Sequence, residues 1–318
     1  KTGAAGNTPP TTPPQGNNGG DGVHSCSSGS AQAAAGGGGA GGVGVNAAQP
    51  SGTNSNAGAG GPGVANSITG TSVNYGGGGG GGKRMAPGCV GAGGSGGGGA
   101  GGLGPSGTAT AGTVNTGGGG GGGGKEPSGC GGAGASTHLN SGGDGGDGMA
   151  AWFSIPTSSS ARSVYIEIGK NGNDGKEPSC GGAGGSGIVV VKELNKASGV
   201  WSMNTVYNQV KNDEWIANYA FVDYLVVAGG GGGGQQRGGG GGAGGYRTSY
   251  SNACATPLSI KVGTYPTSCQ GTNGVASTFS TITSAGGGKG GFKDNEDGYA
   301  GGSGGGGEGR FPTCGGAG

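Results

Sequence analysis

The seven cysteines are the residues of this 318-residue chain whose type most directly suggests chemistry. They are Cys26, Cys89, Cys130, Cys180, Cys254, Cys269 and Cys314. They are widely spaced and contain no Cys-x-x-Cys pair, which argues against a tetrahedral zinc site. Disulfides are typical of extracellular proteins that have little hydrophobic core. We therefore treat all seven as candidates for structural disulfides and expect Cys254 to pair with Cys269. The odd count leaves one thiol free or bonded to another chain.

Phosphate-binding motifs occur here only by chance. The pattern Gly-x-Gly-x-x-Gly recurs, but nowhere inside a strand–loop–helix unit, which is the context that gives it meaning. The run that ends at Gly124 and Lys125 resembles a P-loop, yet Glu126 stands where Ser or Thr is needed. We therefore expect no nucleotide and no other cofactor.

The remaining polar residues do not form a catalytic pattern. His24 and His138 are the only histidines, and they lie far apart in the sequence, so each is best interpreted as a lone surface residue. Four aspartates in glycine-rich turns offer weak Ca²⁺ ligands, although forming the turn is the more common role of aspartate there. These are Asp144, Asp147, Asp174 and Asp294. We expect no enzyme activity, no catalytic residue and no metal site.

Composition indicates what material the protein is built from. Glycine supplies 98 residues, but in uninterrupted runs and with only 14 prolines, so the collagen triple helix is excluded by its period. Hydrophobic residues make up 29 %, which is too few for one large apolar core. The net charge of +1 is too low for a charge-driven disordered chain or for binding nucleic acid. No apolar stretch approaches the roughly 20 residues needed to cross a bilayer.

The glycine runs predict stacked extended helices. A polyglycine helix of the polyproline-II kind has no internal hydrogen bonds, so its N–H and C=O groups can bond to neighbouring helices. A flexible linker is the alternative for a single run. The runs recur along the whole chain, however, which favours ordered packing with nearly complete backbone hydrogen bonding. They are Gly76–Gly82, Gly96–Gly99, Gly117–Gly124, Gly229–Gly234, Gly238–Gly242, Gly286–Gly288 and Gly304–Gly307.

Two phrases repeat between these runs. The first is a proline followed closely by a cysteine and a Gly/Ala tail, at Cys89, Cys130, Cys180 and Cys314. The second is a short β-type segment that leads into a glycine run. Its copies are Ile68–Tyr75, Thr108–Thr116, Leu225–Ala228 and Phe279–Ala285. Each unit is predicted to be a strand or turn, a glycine rod, a proline–cysteine corner and another rod. Slippage of low-complexity DNA is the alternative origin.

The less glycine-rich segments define the domain organisation. Residues 1–195 form a glycine-rich region in which Val164–Lys170 and Gly187–Lys192 are predicted strands. Residues 196–221 form a short segment with two tryptophans and a predicted helix over 203–210, capped by Ser202. Residues 222–318 form a second glycine-rich region, which would continue into residue 1 of a next unit. The predicted fold class is mostly irregular and β, with stacked polyglycine helices, short strands and little α-helix.

Several segments carry a resemblance to a known family. Asp223–Gly232, Gly185–Val191, Ser67–Gly76 and Gly112–Gly117 look like parts of the glycine-rich domains of tailed-phage fibre and receptor-binding proteins. Gly199–Tyr207 resembles a segment found beside such domains. The resemblance implies a virion or cell-surface location, packed polyglycine helices and adhesion through loops. The order departs from the family, since the Leu-Val-Val-Ala segment there comes first and the Ile-Val-Val-Val segment last. We therefore expect a permuted domain, which is either one repeat of a longer tandem array or a subunit whose domain is completed by its neighbour.

The sequence favours a structural function. Our leading expectation is a subunit or repeat of an extracellular or virion fibre, assembled head-to-tail from copies of itself. One alternative is an adhesin at a fibre tip that binds a host receptor or glycan. Another is ice binding by a flat polyglycine slab, although its regular Thr/Ala face is not evident because Ser and Thr are scattered.

Overall fold

The computed structural model consists mainly of extended rods joined by short β-strands. It describes residues 1–24, 32–51, 54–84, 88–104, 109–124, 165–167, 187–193, 207, 211, 220–235, 237–253, 259–263, 272–292 and 297–309. The expected class, irregular and β with stacked polyglycine helices and little α-helix, is confirmed. Among these residues, no helix has the length and apolar character needed to cross a bilayer.

The strands are short and mostly antiparallel. They are β1 (Val23–His24), β2 (Gln32–Ala33), β3 (Ala48–Ser51), β4 (Asn54–Asn56), β5 (Val64–Asn66), β6 (Val73–Tyr75), β7 (Tyr165–Glu167), β8 (Ile188–Glu193), β9 (Ala220–Val227), β10 (Tyr246–Ala253), β11 (Ser259–Lys261), β12 (Ser277–Phe279) and β13 (Ile282–Ser284). Strands β1–β2, β3–β4 and β5–β6 form separate antiparallel pairs. The other strands form two larger sheets.

Rod 76–82 shows how the glycine runs are held. Its N–H groups point in turn to three different rods, and the direction repeats every third residue, as a helix with three residues per turn requires. Gly77 donates to the carbonyl oxygen of Gly96 (2.9 Å), Gly78 to that of Gly61 (2.9 Å) and Gly79 to that of Gly241 (2.9 Å). The next turn repeats the pattern, from Gly80 to Gly99, Gly81 to Gly58 and Gly82 to Gly238.

The carbonyl oxygens of the same rod face other rods. Gly119 and Gly122 donate to the oxygens of Gly77 and Gly80, and both bonds run between parallel rods. Antiparallel rods supply the other donors: Gly94 to Gly78, Gly37 to Gly79, Gly91 to Gly81 and Ala34 to Gly82. Rod 76–82 is therefore enclosed on all sides in a hexagonal arrangement. Rods 34–40, 238–245 and 303–307 are bonded to surrounding rods in the same manner.

Close approach explains why the interior rods are glycine. A Cβ atom added to Gly79 would lie less than 3.0 Å from the backbone of Gly120, and one added to Gly240 would clash equally with that of Gly79. Backbone atoms cannot retreat as the end of a side chain can. At these glycine positions the bundle has no room for a side chain, and the buried atoms are peptide groups bonded to one another.

The two larger sheets pack face to face as a small β-sandwich. One has the order β10-β9-β8 and is antiparallel, with Ile188 opposite Val227. The other has the order β13-β12-β11-β7, in which β7 and β11 are parallel. The buried side chains between the sheets are Val189, Val222, Tyr224, Val226, Ile260, Val262 and Phe279. On the outer face of β9, Leu225 and Val227 pack with Tyr75 and Ile188, so β9 is buried on both faces.

The local sequence predictions have mixed outcomes. Leu225–Val227 of the predicted Leu225–Ala228 segment lies in β9, which leads into a rod, and β8 begins at Ile188, one residue after the start of the predicted Gly187–Lys192 strand. The described part of the predicted Thr108–Thr116 segment is not a strand. Its residues from 109 onward form an outer rod, where Thr110 bonds to Ala100, followed by a turn. Of the predicted helix over 203–210, the structure describes only Tyr207, which is helical.

Candidate functional site: the two poles of the bundle

The rods run between two poles that differ in construction. Strands β6, β9, β10 and β13 all join rods at one end of the bundle, which we call the proximal pole. There Gly76 and Gly117 begin their rods with φ angles of 71° and 67°, a left-handed conformation that favours glycine. Gln15 is buried at the same pole, beside Gly245, and ties three segments together. Its side-chain amide donates to the carbonyl of Pro9 (2.7 Å), and its side-chain oxygen accepts from the N–H of Ala285 (2.8 Å).

The opposite end, the distal pole, contains a buried lysine. Lys83 directly follows rod 76–82, and its side chain is fully buried. Its ammonium group donates to the carbonyl oxygen of Ser55 and lies 3.1 Å from the Ser55 hydroxyl. Burial lowers the pKa of Lys83 because the charged form loses water, while the negative charge of a Cys89 thiolate acts in the opposite direction. Lys83 thus anchors the β3–β4 hairpin to the end of the central rod.

A buried ionic cluster lies at the same pole. Arg237 adopts a φ of 70° in the tight turn between two rods, and its backbone N–H donates to Gly123 (2.9 Å). Its Nη1 donates to Gln32 Oε1 (2.5 Å), and its Nη2 lies 3.8 Å from Glu308 Oε1. All of these side chains are buried. The cluster joins the end of rod 303–307, the start of rod 34–40 and the 234–238 turn.

The distal cluster was not predicted, although the sequence contains a signal for it. Charged residues are only 10 % of the chain, yet Lys83, Arg237 and Glu308 each stand directly at the border of a glycine run. Their side chains bond to Ser55 or to one another and so join different segments at the ends of the rods. The position of these rare charges relative to the runs therefore carries more information than their number.

The predicted disulfide residues are mostly outside the described part of the chain. Cys26, Cys130, Cys180, Cys254, Cys269 and Cys314 all lie there, as does the predicted Cys254–Cys269 pair. Cys89 is described, and its thiol is free and exposed. Its N–H donates to Asn56 Oδ1 (3.0 Å), which fixes the start of the rod that follows.

Within the described ranges, no group of three or more His, Cys, Asp and Glu residues is arranged to hold a metal ion. The four turn aspartates of the calcium alternative lie outside these ranges, and so does His138. His24 is in β1.

Comparison with known proteins finds a family similarity in part of the chain. Residues 205–318 match the family model described as a glycine-rich domain. This region contains β9 to β13 and rods 238–245 and 303–307, which are central to the bundle. No curated protein and no solved structure is similar to the chain at a significant level.

Proposed function

We propose that this chain is a non-enzymatic structural subunit, or one repeat, of an extracellular or virion fibre. The observation that carries this proposal is the bundle of rods closed on all sides by backbone hydrogen bonds, such as rod 76–82. A rod bonded to neighbours along its whole length cannot bend without breaking several of these bonds together. A stiff body of this kind suits a shaft under mechanical load.

The two different poles would determine how copies of the chain assemble. The proximal pole presents a β-sandwich, whereas the distal pole presents rod ends and a buried ionic cluster. Two different surfaces at opposite ends favour a heterologous contact, in which the same interface repeats along an axis and the assembly stays open. Copies of the chain stacked head-to-tail in this way would form a filament. We further propose that this glycine-rich protein is related to the glycine-rich domains of tailed-phage fibres, because segments such as Asp223–Gly232 resemble them.

An adhesin at a fibre tip is the second candidate, and one observation favours it. The distal pole carries the 234–238 turn between two rods, and other rods end there at Lys83, Leu103 and Glu308. Connecting segments on a rigid scaffold are common sites of recognition, because their sequences vary without disturbing the scaffold. In this alternative the distal pole would contact a host receptor or glycan.

Electron microscopy of the native material would test both candidates. The shaft proposal expects filaments with one chain per axial repeat and the proximal pole of one copy against the distal pole of the next. Particles that carry this chain only at one end, with the distal pole outward, would support the adhesin instead. Isolated single chains at concentrations that match the native source would contradict both.

A further inference from the structure

Strand β10 is one edge of the three-stranded sheet in the sandwich. The sheet order is β10-β9-β8, and β10 pairs with β9 along all of its 8 residues. The same pairing continues into the rods joined to these strands, because Ala228 donates to Gly245 (3.0 Å) and Gly231 donates to Gly242 (2.8 Å). Strands β9 and β10 therefore run along the axis of the bundle, and the outer edge of β10 faces sideways and not towards a pole.

The outer edge of β10 presents backbone N–H groups. Tyr246 donates its N–H to the carbonyl oxygen of Gln15 (2.8 Å), which lies outside the sheet, so the even-numbered residues of β10 direct their peptide groups outward. Among the residues that the structure describes, no acceptor bonds to the N–H groups of Thr248 and Tyr250. Thr248 is exposed and Tyr250 is 72 % exposed. An edge of this kind can bond to any extended backbone that comes to lie beside it.

The edge lacks the features by which natural sheets prevent such pairing, which are outward lysines, prolines and bulges. Strand β10 contains no lysine and no proline, and its register with β9 has no shift. Its charged residue, Arg247, is turned towards the other sheet, where its Nη1 donates to the carbonyl oxygen of Thr283 (3.2 Å). The edge is therefore suited to accept a further strand by β-strand addition.

The limits of the open edge indicate that a second copy supplies this strand. Gln15 covers the edge at Tyr246, and β10 ends at Ala253, so residues 247–253 are the part of the strand beyond that cover. Tyr250 is the centre of this stretch. A two-fold axis at Tyr250 pairs the whole stretch with itself, in the antiparallel orientation that the rest of the sheet has. We propose that two copies of this chain associate side by side through β10, which joins their sheets into one continuous sheet.

This register brings compatible residues together. Tyr250 faces its own copy and Thr248 faces Asn252, and each of these pairs exchanges two backbone hydrogen bonds. The two Tyr250 side chains lie on the same face, where aromatic cross-strand pairs are favourable. Arg247 faces Ala253, so the arginines of the two copies are at opposite ends of the contact and do not repel each other.

The register also provides the test, because residue 250 of one copy faces residue 250 of the other. Tyr250→Glu places two carboxylates across the axis, and Asp223, opposite Tyr250 on β9, adds to their repulsion. We expect sedimentation of the full chain over a dilution series to show side-by-side dimers, with at least about tenfold weaker association for Tyr250→Glu. An equal mixture of Tyr250→Glu and Tyr250→Lys chains should associate at least about tenfold more tightly than Tyr250→Glu alone, because opposite charges then meet.

Amide hydrogen exchange reports on the edge itself. The N–H groups of Thr248 and Tyr250 should exchange more slowly as the concentration of the native chain rises. Ser249, whose N–H is directed towards β9, should change less. Val45→Glu is the matched control for an added charge and should associate as the native chain does, since Val45 is 52 % exposed and lies in a rod outside the sandwich.

Three results would each overturn the inference. They are a native chain that forms no side-by-side dimer, equal association of Tyr250→Glu and Val45→Glu, and a mixture that associates no better than Tyr250→Glu alone. Thermal unfolding shows whether each variant is folded. If Tyr250→Glu is not, Thr248→Pro removes an outward N–H without adding a charge and should weaken the dimer in its place.

The side-by-side contact is independent of the head-to-tail fibre, because the edge of β10 faces sideways and the fibre contact uses the poles. Tyr250→Glu should therefore still form filaments if the proposed function is correct, and only their side-by-side pairing should be lost. Filaments that fail to form while the dimer persists would contradict the proposed function and leave this inference standing.

Discussion

The β-sandwich and the polyglycine bundle bury their interiors with opposite materials. Between the sheets, Tyr224 and Phe279 pack with ring centres 5.8 Å apart, and branched side chains fill the remaining space. In rod 76–82 the buried atoms belong to peptide groups, and a single Cβ would clash. The sandwich is stabilised mainly by removing apolar surface from water, while the bundle depends on complete hydrogen bonding and close backbone contact. Truncating a buried side chain should therefore destabilise the sandwich, whereas enlarging an interior glycine should destabilise the bundle.

Adding one methyl group inside the bundle should have the largest effect. Gly79→Ala places a Cβ less than 3.0 Å from the backbone of Gly120, and neither rod can move without breaking bonds to others. We expect the free energy of unfolding to fall by more than about 4 kcal/mol, measured by calorimetry or denaturant unfolding. Gly42→Ala is the control, because its Cβ would meet only the ring of Pro62 at 3.0 Å. Equal losses for the two variants would contradict the backbone-contact explanation.

Removing the carboxylate of the distal cluster should have the next largest effect. Glu308→Gln leaves the buried guanidinium of Arg237 without its anionic partner, 3.8 Å away in the native chain. Loss of one member of a buried ion pair costs about 3–5 kcal/mol, and we expect a loss of this size in thermal unfolding. Asp297→Asn, at an exposed carboxylate that accepts from the N–H of Thr2 (3.0 Å), should change stability by less than about 0.5 kcal/mol. If Glu308→Gln left the thermal stability unchanged, the distal pole would not be closed to water.

Truncating a side chain tests the sandwich in the opposite direction. Ile260 is buried between the two sheets, so Ile260→Ala removes buried apolar surface and leaves a cavity. We expect a loss of about 2–5 kcal/mol. Amide hydrogen exchange should show this loss in the sandwich, with rod 238–245 affected less. Equal loss of protection in both regions would show that bundle and sandwich unfold as one unit.

The smallest predicted effect depends on pH and lies where the two regions meet. Burial raises the pKa of Tyr246, with a hydrogen bond from Asn66 to its hydroxyl (2.8 Å) acting in the opposite direction. The folded-state pKa of Tyr246 lies above the unfolded value of about 10. The stabilisation that the neutral, buried hydroxyl contributes to the folded state is therefore complete below pH 10. It is lost as the pH rises through the folded value. Tyr246→Phe should cost about 1 kcal/mol at pH 8 and show a shallower decline in stability above pH 10 than the wild type.

The sequence was informative about the bundle where glycine is continuous. Six of the seven predicted runs lie within rods, and in the seventh, Gly96 and Gly97 form a turn with positive φ before the rod begins. The interior rod 34–40 was not predicted from the sequence, although it contains Gly36–Gly39 flanked by alanines. Outer rods such as 57–63 were missed because only their inward positions need to be small. Their outward positions hold ordinary side chains, which interrupt the run.

The pairing of distant strands could not be predicted from the sequence. Strand β7 lies parallel to β11, and no local pattern around Tyr165 indicates that neighbour. The pairing of β8 with β9 was not predicted either, since their segments were assigned to two separate glycine-rich regions, 1–195 and 222–318. The poles were missed for a related reason. Their residues, such as Gln32 and Glu308, are far apart in the chain and meet only because rods of matching length end at the same level.

The three-residue repeat of bond directions constrains how this chain can change in length. In rod 76–82 each N–H points to a fixed neighbour according to its position in the triplet. Inserting one residue would rotate every later peptide group by about a third of a turn and direct it to the wrong rod. Inserting three residues would preserve every direction and lengthen the rod by about 9 Å, beyond the level at which its neighbours end. Interior rods can therefore lengthen only in triplets and only together, so single insertions and deletions are confined to the connections at the poles.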